Sequence, residues 1–116
     1  MSWTLFLDDI RDPGWELQDC LVARNCAMAE NLVEDMGVPH IISFDHDLGR
    51  GEPIAMAFMW WLIEGHLDKR FDISVIKRVV IHSANPVGSL NLKGLWDGFA
   101  INELNSDVRA ELRPRS

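Results

Sequence analysis

The sequence predicts a single α/β domain over residues 1–116, built as a three-layer sandwich around a mostly parallel sheet. Short apolar runs typical of buried strands alternate with longer segments that have helical spacing. Alternation of this kind places crossover helices on the faces of a parallel sheet. The length of 116 residues suits one domain, and a hydrophobic fraction of 47% is enough for a core without disulfides.

The predicted strands differ in how clearly they are marked. Residues 3–7 form the first strand, an apolar run ending at Phe44 forms the central one, and residues 77–82 form the third. Residues 107–112 alternate and suit a last strand, with Arg109 and Arg113 on one side. Residues 15–23 suggest an edge strand, but the link before them is short for a helical crossover, so their direction stays open.

Three helices are predicted between these strands. Residues 26–36 form the first, with Asn25 as N-cap, Gly37 at C′ and an apolar face made of Met28, Leu32, Val33 and Met36. Residues 53–64 form the second, which Gly65 ends. It is apolar on nearly every face from Met56 to Ile63, so it is buried, or covered by a protein partner or a second copy. Asn85 and Pro86 start the third.

Composition excludes several classes of protein. The net charge is -7, with 18 acids against 11 bases, so a broad nucleic-acid-binding surface is not expected. Cys20 and Cys26 form no C-x-x-C pair, which favours a reduced, cytoplasmic protein. No signal peptide is recognised, and the longest apolar run, residues 54–63, is short of the about 20 residues that span a bilayer.

Polar residues follow three of the predicted strands where each strand ends. They are Asp8-Asp9, Asp45-His46-Asp47 and His82-Ser83. Ligands of parallel α/β sheets bind at this edge, so one crevice would collect four carboxylates and two imidazoles if the three strands are neighbours. If the extended backbone persists, Asp45 and Asp47 point to one side and His46 to the other. Taken alone, Asp8-Asp9 is equally consistent with a pair of turn residues.

Clustered carboxylates repel one another unless a cation is present, and oxygen ligands suit hard cations. We therefore predict that Asp8, Asp9 and Asp45, with Asp47 nearby, hold a divalent metal, Mg²⁺ first and Mn²⁺ or Ca²⁺ as alternatives. His46 and His82 are placed to exchange protons near neutral pH, with Asp45 also in the catalytic set. The predicted phosphate-binding residues are Arg11, Ser83, Asn85 and Arg113. A helix-capping role for Asn85 is just as consistent with its position.

Three motifs together resemble those of the cyclic-phosphate processing receiver-like domains, relatives of response-regulator receivers. They are Leu5-Phe6-Leu7-Asp8-Asp9-Ile10-Arg11-Asp12-Pro13, Ile42-Ser43-Phe44-Asp45-His46-Asp47-Leu48-Gly49 and Ile81-His82-Ser83-Ala84-Asn85-Pro86-Val87-Gly88. The resemblance implies a flavodoxin-like sheet and a metal-dependent phosphoric diester hydrolase. The implied substrates are cyclic nucleotides or RNA ends bearing a 2′,3′-cyclic phosphate, as in RNA repair.

Two alternatives remain open. A phospho-accepting signalling receiver would use Asp45 as acceptor, Asp8-Asp9 for magnesium and Ser83 as the hydroxyl. It would also carry a lysine after the last strand, where this chain has Arg113-Pro114, and it would not need His46 or His82. The second alternative is a non-catalytic module that binds a nucleotide, or a protein through the tryptophan-rich helix.

Overall fold

The strands form one sheet in which every neighbouring pair is parallel. The computed structural model describes residues 3–9, 19–49, 51 and 53–113. The strands are β1 Thr4–Leu7, β2 Cys20–Ala23, β3 Ile41–Phe44, β4 Arg78–Ile81 and β5 Ala110–Leu112. Their order across the sheet is β2-β1-β3-β4-β5. The predicted α/β class and parallel sheet are confirmed, and β1 and β3 lie side by side within it.

The segment whose direction the sequence leaves open contains the edge strand β2. Thr4 pairs with Cys20 and Leu7 with Ala23, so β2 runs parallel to β1. Residues 15–18 of the predicted segment lie outside the described part of the chain. Cys20 and Cys26 are not joined to each other by a disulfide.

Three helices cover one face of the sheet. They are α1 Cys26–Met36, α2 Ala55–Leu67 and α3 Pro86–Asn102, and they connect β2 to β3, β3 to β4 and β4 to β5. All three crossovers move in the same direction across the sheet, so right-handed connections place them on the same side. In agreement, α1 contacts α2 and α2 contacts α3. The residues described do not include the second helical layer of the predicted sandwich.

The hydrophobic core lies between this helical layer and the sheet. Alternate strand residues point into it and are almost fully buried: Leu5, Leu7, Ile42, Phe44, Val79 and Ile81. They pack with apolar helix residues such as Phe58, Leu62 and Trp96. Phe6 and Ser43, which alternate with these core residues, are also buried but lie outside this cluster. Burial along both alternations is typical of parallel strands.

The ends of α1 are confirmed, and of its predicted apolar face Val33 is buried and Leu32 packs against the core. Asn25 Oδ1 accepts a hydrogen bond from the backbone N–H of Met28 at 2.9 Å, and Gly37 has a φ of 85°. However, Met28 and Met36 are 42% and 51% exposed. The buried row is Cys26, Ala29 and Val33. These shorter side chains face the core and let the helix pack close to it, so the methionines are left at the rim.

The second helix is shifted along the chain relative to the prediction, because it begins at Ala55 rather than Pro53 and Gly65 does not end it. Gly65 is buried inside α2, where a Cβ atom would lie 2.2 Å from the ring of Phe71. The glycine therefore permits close packing of the following chain rather than a helix stop. Phe58 and Met59 are buried as expected, whereas Trp60 is 48% exposed. The proposed partner surface on this helix stays a prediction.

The third helix begins as predicted, with Asn85 as N-cap and Pro86 in the first turn, and it continues through Gly94 and Gly98. The last strand is shorter than predicted, since β5 covers only Ala110–Leu112. None of the described helices combines the length and apolarity needed to cross a membrane.

Candidate functional site

The ends of β1, β3 and β4 bring the predicted residues together. The register pairs Leu7 with Phe44, and Phe44 with Ile81. The residues that follow continue the ladder, because the Asp45 N–H donates to the Leu7 carbonyl at 2.8 Å and the His82 N–H donates to the Phe44 carbonyl at 2.8 Å. Residues far apart in the sequence therefore stand side by side at this edge.

Three carboxylates form a compact group at this edge. One oxygen from each of Asp8, Asp9 and Asp45 lies within 4.8 Å of the other two. Asp8 is fully buried, Asp45 is 3% exposed and Asp9 is half-buried. Burying clustered negative charge costs free energy unless a cation or donors compensate it. Three hard oxygen donors at this spacing fit a divalent cation such as Mg²⁺.

The backbone around the carboxylates is held by contacts that sequence analysis missed. The Asp8 N–H donates to the Ala23 carbonyl at 3.1 Å, and Arg24 Nη1 donates to the Asp8 carbonyl at 3.2 Å. Gly49 adopts a φ of 104°, and a Cβ there would lie 3.4 Å from Asp9 Oδ2. The glycine after the acidic motif thus lets the chain turn beside Asp9.

His82 is bonded at both ring nitrogens. Its Nε2 lies 3.0 Å from Asp8 Oδ2, and its Nδ1 lies 2.6 Å from Ser43 Oγ. The ring stacks on Phe6, with centroids 4.8 Å apart and planes 8° from parallel. Its side chain is 14% exposed. Ser43 and Phe6 were not predicted site residues; the only sequence signal was a hydroxyl within the apolar run of β3.

His46 is bonded differently. Its Nδ1 lies 2.8 Å from Asp47 Oδ1, and the residue is 7% exposed. A Cβ at Gly88 would lie 2.5 Å from His46 Nδ1, so the ring packs flush against the start of α3. Strand alternation does not persist here, because β3 ends at Phe44 and the Asp47 side chain is 61% exposed. Asp47 lies outside the three-carboxylate group, and its role as a metal ligand stays a prediction.

Ser83 and Asn85 link the third strand to the acidic motif. Asn85 Oδ1 accepts from the Gly88 N–H at 2.9 Å, which is the capping role. Its Nδ2 also donates to Asp47 Oδ2 at 3.4 Å. Ser83 is buried, and its Oγ accepts from the Asn85 N–H at 3.1 Å. Asn85 therefore caps its helix, and its place beside the acidic motif keeps the phosphate-binding role as a prediction.

A cavity of about 440 Å³ opens at the centre of this site. The described residues that line it are Asp9, Asp45, Asp47, Leu48, Gly49, Ile54, Ser83 and Ala84. Asp8, His46 and His82 lie behind this lining. A neighbouring cavity of about 360 Å³ shares Ser83 and Ala84, and it is lined mainly by apolar side chains together with Ser89 and Arg113. Arg11 lies outside the described residues.

Comparison with known proteins identifies one family. A family model described as cyclic-phosphate processing receiver domain matches residues 3–98, which include all three polar strand ends. No curated protein and no solved structure shows a significant match to the chain.

Proposed function

The chain belongs to the cyclic-phosphate processing receiver domains, and on that premise we propose that it hydrolyses a cyclic phosphodiester with the aid of a divalent cation. One observation carries this proposal. The cavity wall combines two carboxylates of the cation group, Asp9 and Asp45, with Asp47, which is hydrogen-bonded to His46. A cation site and an acid–base pair thus adjoin one space large enough for a small ligand.

The cation would be held by Asp8, Asp9 and Asp45. A bound divalent ion supplies compensation for phosphate charge and lowers the pKa of coordinated water. Groups of the protein itself would bind the phosphate and transfer the proton. Ser83 lies in the cavity wall just before α3, where a hydroxyl and backbone N–H groups favour an anion.

His46 is the proposed proton donor. Asp47 engages Nδ1, which assigns proton transfer to Nε2 and fixes the orientation of the ring. During hydrolysis one ester P–O bond breaks and water forms a new P–O bond. The released oxygen takes a proton from His46, and the proton lost by the water passes through solvent to restore His46. The products are a phosphate monoester and a free hydroxyl. An imidazole suits this step because its usual pKa, about 6.5, lies near neutral pH.

The test is turnover by the intact chain. It is incubated with Mg²⁺, Mn²⁺ or Ca²⁺ and with 2′,3′-cyclic nucleotides, 3′,5′-cyclic nucleotides and RNA ending in a 2′,3′-cyclic phosphate. Product is followed by ³¹P NMR, in which cyclic and opened phosphates separate. Release of a monoester from any of these supports the proposal. If no substrate is opened with any cation, the enzyme proposal is wrong and the protein is better described as a non-catalytic binding module.

The neighbouring cavity favours a nucleotide over a smaller cyclic phosphate. Its apolar wall includes Leu90 and Leu112, which are 60% and 40% exposed, and it adjoins the catalytic cavity through Ser83. We expect Leu90→Ala to raise KM for 2′,3′-cyclic AMP about fivefold, since roughly 1 kcal/mol of apolar contact is lost. The kcat should stay unchanged.

Two controls accompany that substitution. Leu67→Ala removes a similarly exposed leucine at the far end of α2 and should leave KM unaltered. Glycerol 1,2-cyclic phosphate has no base, so Leu90→Ala should not change its KM. Equal KM values for the nucleotide in wild type and Leu90→Ala would show that the nucleotide base does not bind in the neighbouring cavity.

The receiver alternative is favoured by a specific feature, the Asp45 carboxylate at the cavity wall, which Ser83 also lines. A receiver would hold a phosphoryl group on Asp45 as an acyl phosphate. The enzyme proposal expects no lasting adduct after incubation with acetyl phosphate, as judged by intact-mass spectrometry. A stable adduct that Asp45→Asn abolishes, without turnover of any cyclic substrate, would establish the signalling function instead.

A further inference from the structure

We propose that His82 is a positioning residue for the Asp8 carboxylate rather than a proton donor to substrate. Its Nε2 lies 3.0 Å from Oδ2 of Asp8, whose carboxylate belongs to the cation group. This inference rests on the proposed cation site but not on hydrolysis, because it concerns how the carboxylate is oriented toward a cation. This inference gives His82 and His46 different roles, since His46 contacts Asp47, which lines the cavity, rather than Asp8.

Hydrogen-bond chemistry assigns the donor at Nε2 of His82. An ionised carboxylate is only an acceptor, so the Nε2–H donates to Asp8. Ser43 Oγ lies 2.6 Å from Nδ1, where its hydroxyl can donate to the bare nitrogen or accept from an N–H. The ring is bonded at both ends in either case, and it holds the carboxylate as outer hydrogen-bond partners hold metal ligands in other proteins.

Packing restricts the ring as well. Phe6 lies flat against it, with centroids 4.8 Å apart. Ser43 and Phe6 are 9% and 8% exposed, so both supports are themselves fixed within the sheet. The three supports of the ring, Phe6, Ser43 and Asp8, come from two adjacent strands, β1 and β3, and their ends. Both ring nitrogens of His82 are already engaged, one by Asp8 and the other by Ser43, so neither is left to give a proton to substrate.

The experiment measures Mn²⁺ affinity of the full chain by calorimetry. We expect His82→Ala to weaken binding about 10- to 100-fold, the usual consequence of losing a group that orients a metal ligand. His82→Gln places an amide N–H at a similar reach and should restore part of the affinity. Ser43→Ala should weaken binding in the same direction, because it releases Nδ1 while leaving the imidazole in place.

The matched control is His66→Asn, which removes an imidazole outside the three-carboxylate group and keeps an amide oxygen that can accept from the Ile73 N–H. It should bind Mn²⁺ as wild type does. Circular dichroism and melting in chelator establish whether each variant folds. If His82→Ala does not fold, Ser43→Ala still tests the positioning role. In ¹⁵N-histidine spectra, metal-free and Mg²⁺-bound wild type should differ at His82 Nε2.

Wild-type Mn²⁺ affinity in folded His82→Ala and Ser43→Ala would overturn the positioning role. If these variants also hydrolysed substrate slowly, His82 would be a proton-transfer residue. Failure of wild type to open any cyclic phosphate would overturn the proposed hydrolase but not this inference, provided that the affinity differences are observed. Absence of cation binding by wild type would overturn the cation site and the role of His82 together.

Discussion

We expect Mg²⁺ or Mn²⁺ to raise the melting temperature of the wild-type chain, and Asp9→Asn to remove most of that rise. The cation would bind the grouped carboxylates of the folded state, a group that the unfolded chain does not form. At a concentration about 100 times the dissociation constant, the gain is about 2.7 kcal/mol, or roughly 10 °C for a domain of this size. Differential scanning fluorimetry with chelator and with each cation measures it.

Melting temperatures measured in chelator test whether repulsion among the three carboxylates is the physical reason for the cation-dependent rise. Asp9→Asn removes one of three mutually repelling charges, so without metal it should melt at or above the wild-type temperature. The control is Asp35→Asn, an exposed change on α1 that should keep the full cation response. An equal response in Asp9→Asn and wild type would contradict the cation site, as would no response in either.

We expect replacement of His46 by alanine to lower the rate of the proposed cyclic-phosphate opening by roughly 10²–10⁴-fold, the usual contribution of positioned acid–base catalysis. The reason is loss of the imidazole that Asp47 orients. Initial rates are measured over a range of pH, and one limb of the wild-type profile should disappear in the variant. The cation-dependent rise in melting temperature should persist, because the carboxylate group is intact.

Gly88→Ala offers an independent check on the placement of His46. The added Cβ would fall 2.5 Å from the ring, so the imidazole must move while its chemistry is retained. We expect a smaller but clear loss of rate and a destabilisation of about 1–3 kcal/mol from overpacking. The control is His66→Asn, which removes an imidazole away from the site and should leave the rate unchanged. Its amide oxygen can still accept a hydrogen bond from the Ile73 N–H, so the local fold is kept.

A folded His46→Ala variant that opens cyclic phosphate at the wild-type rate would contradict the proton-donor role and leave His46 with a structural role only.

The starts of α1 and α3 were determined by the sequence itself, whereas α2 begins at Ala55, two residues after its predicted start and without a side-chain cap. Asn25 and Asn85 cap their helices through backbone N–H groups three residues later, so the interacting atoms are local in the chain. The polar strand ends were equally readable, because a parallel sheet collects the residues that follow its strands at one edge. The grouping of Asp8, Asp9 and Asp45 was predicted on the condition that their strands are neighbours, and the pairing of β1 with β3 meets that condition.

Only the tertiary structure decided what each group does there. His46 and His82 looked alike in the sequence, yet His82 is bonded by Ser43 and Asp8 while His46 is bonded by its neighbour Asp47. Gly65 resembled a helix stop, but in the fold Phe71 packs against it and the helix continues. The physical reason is the same in both cases. Strand register and helix packing choose partners that are distant in the chain, and local patterns carry no record of those partners.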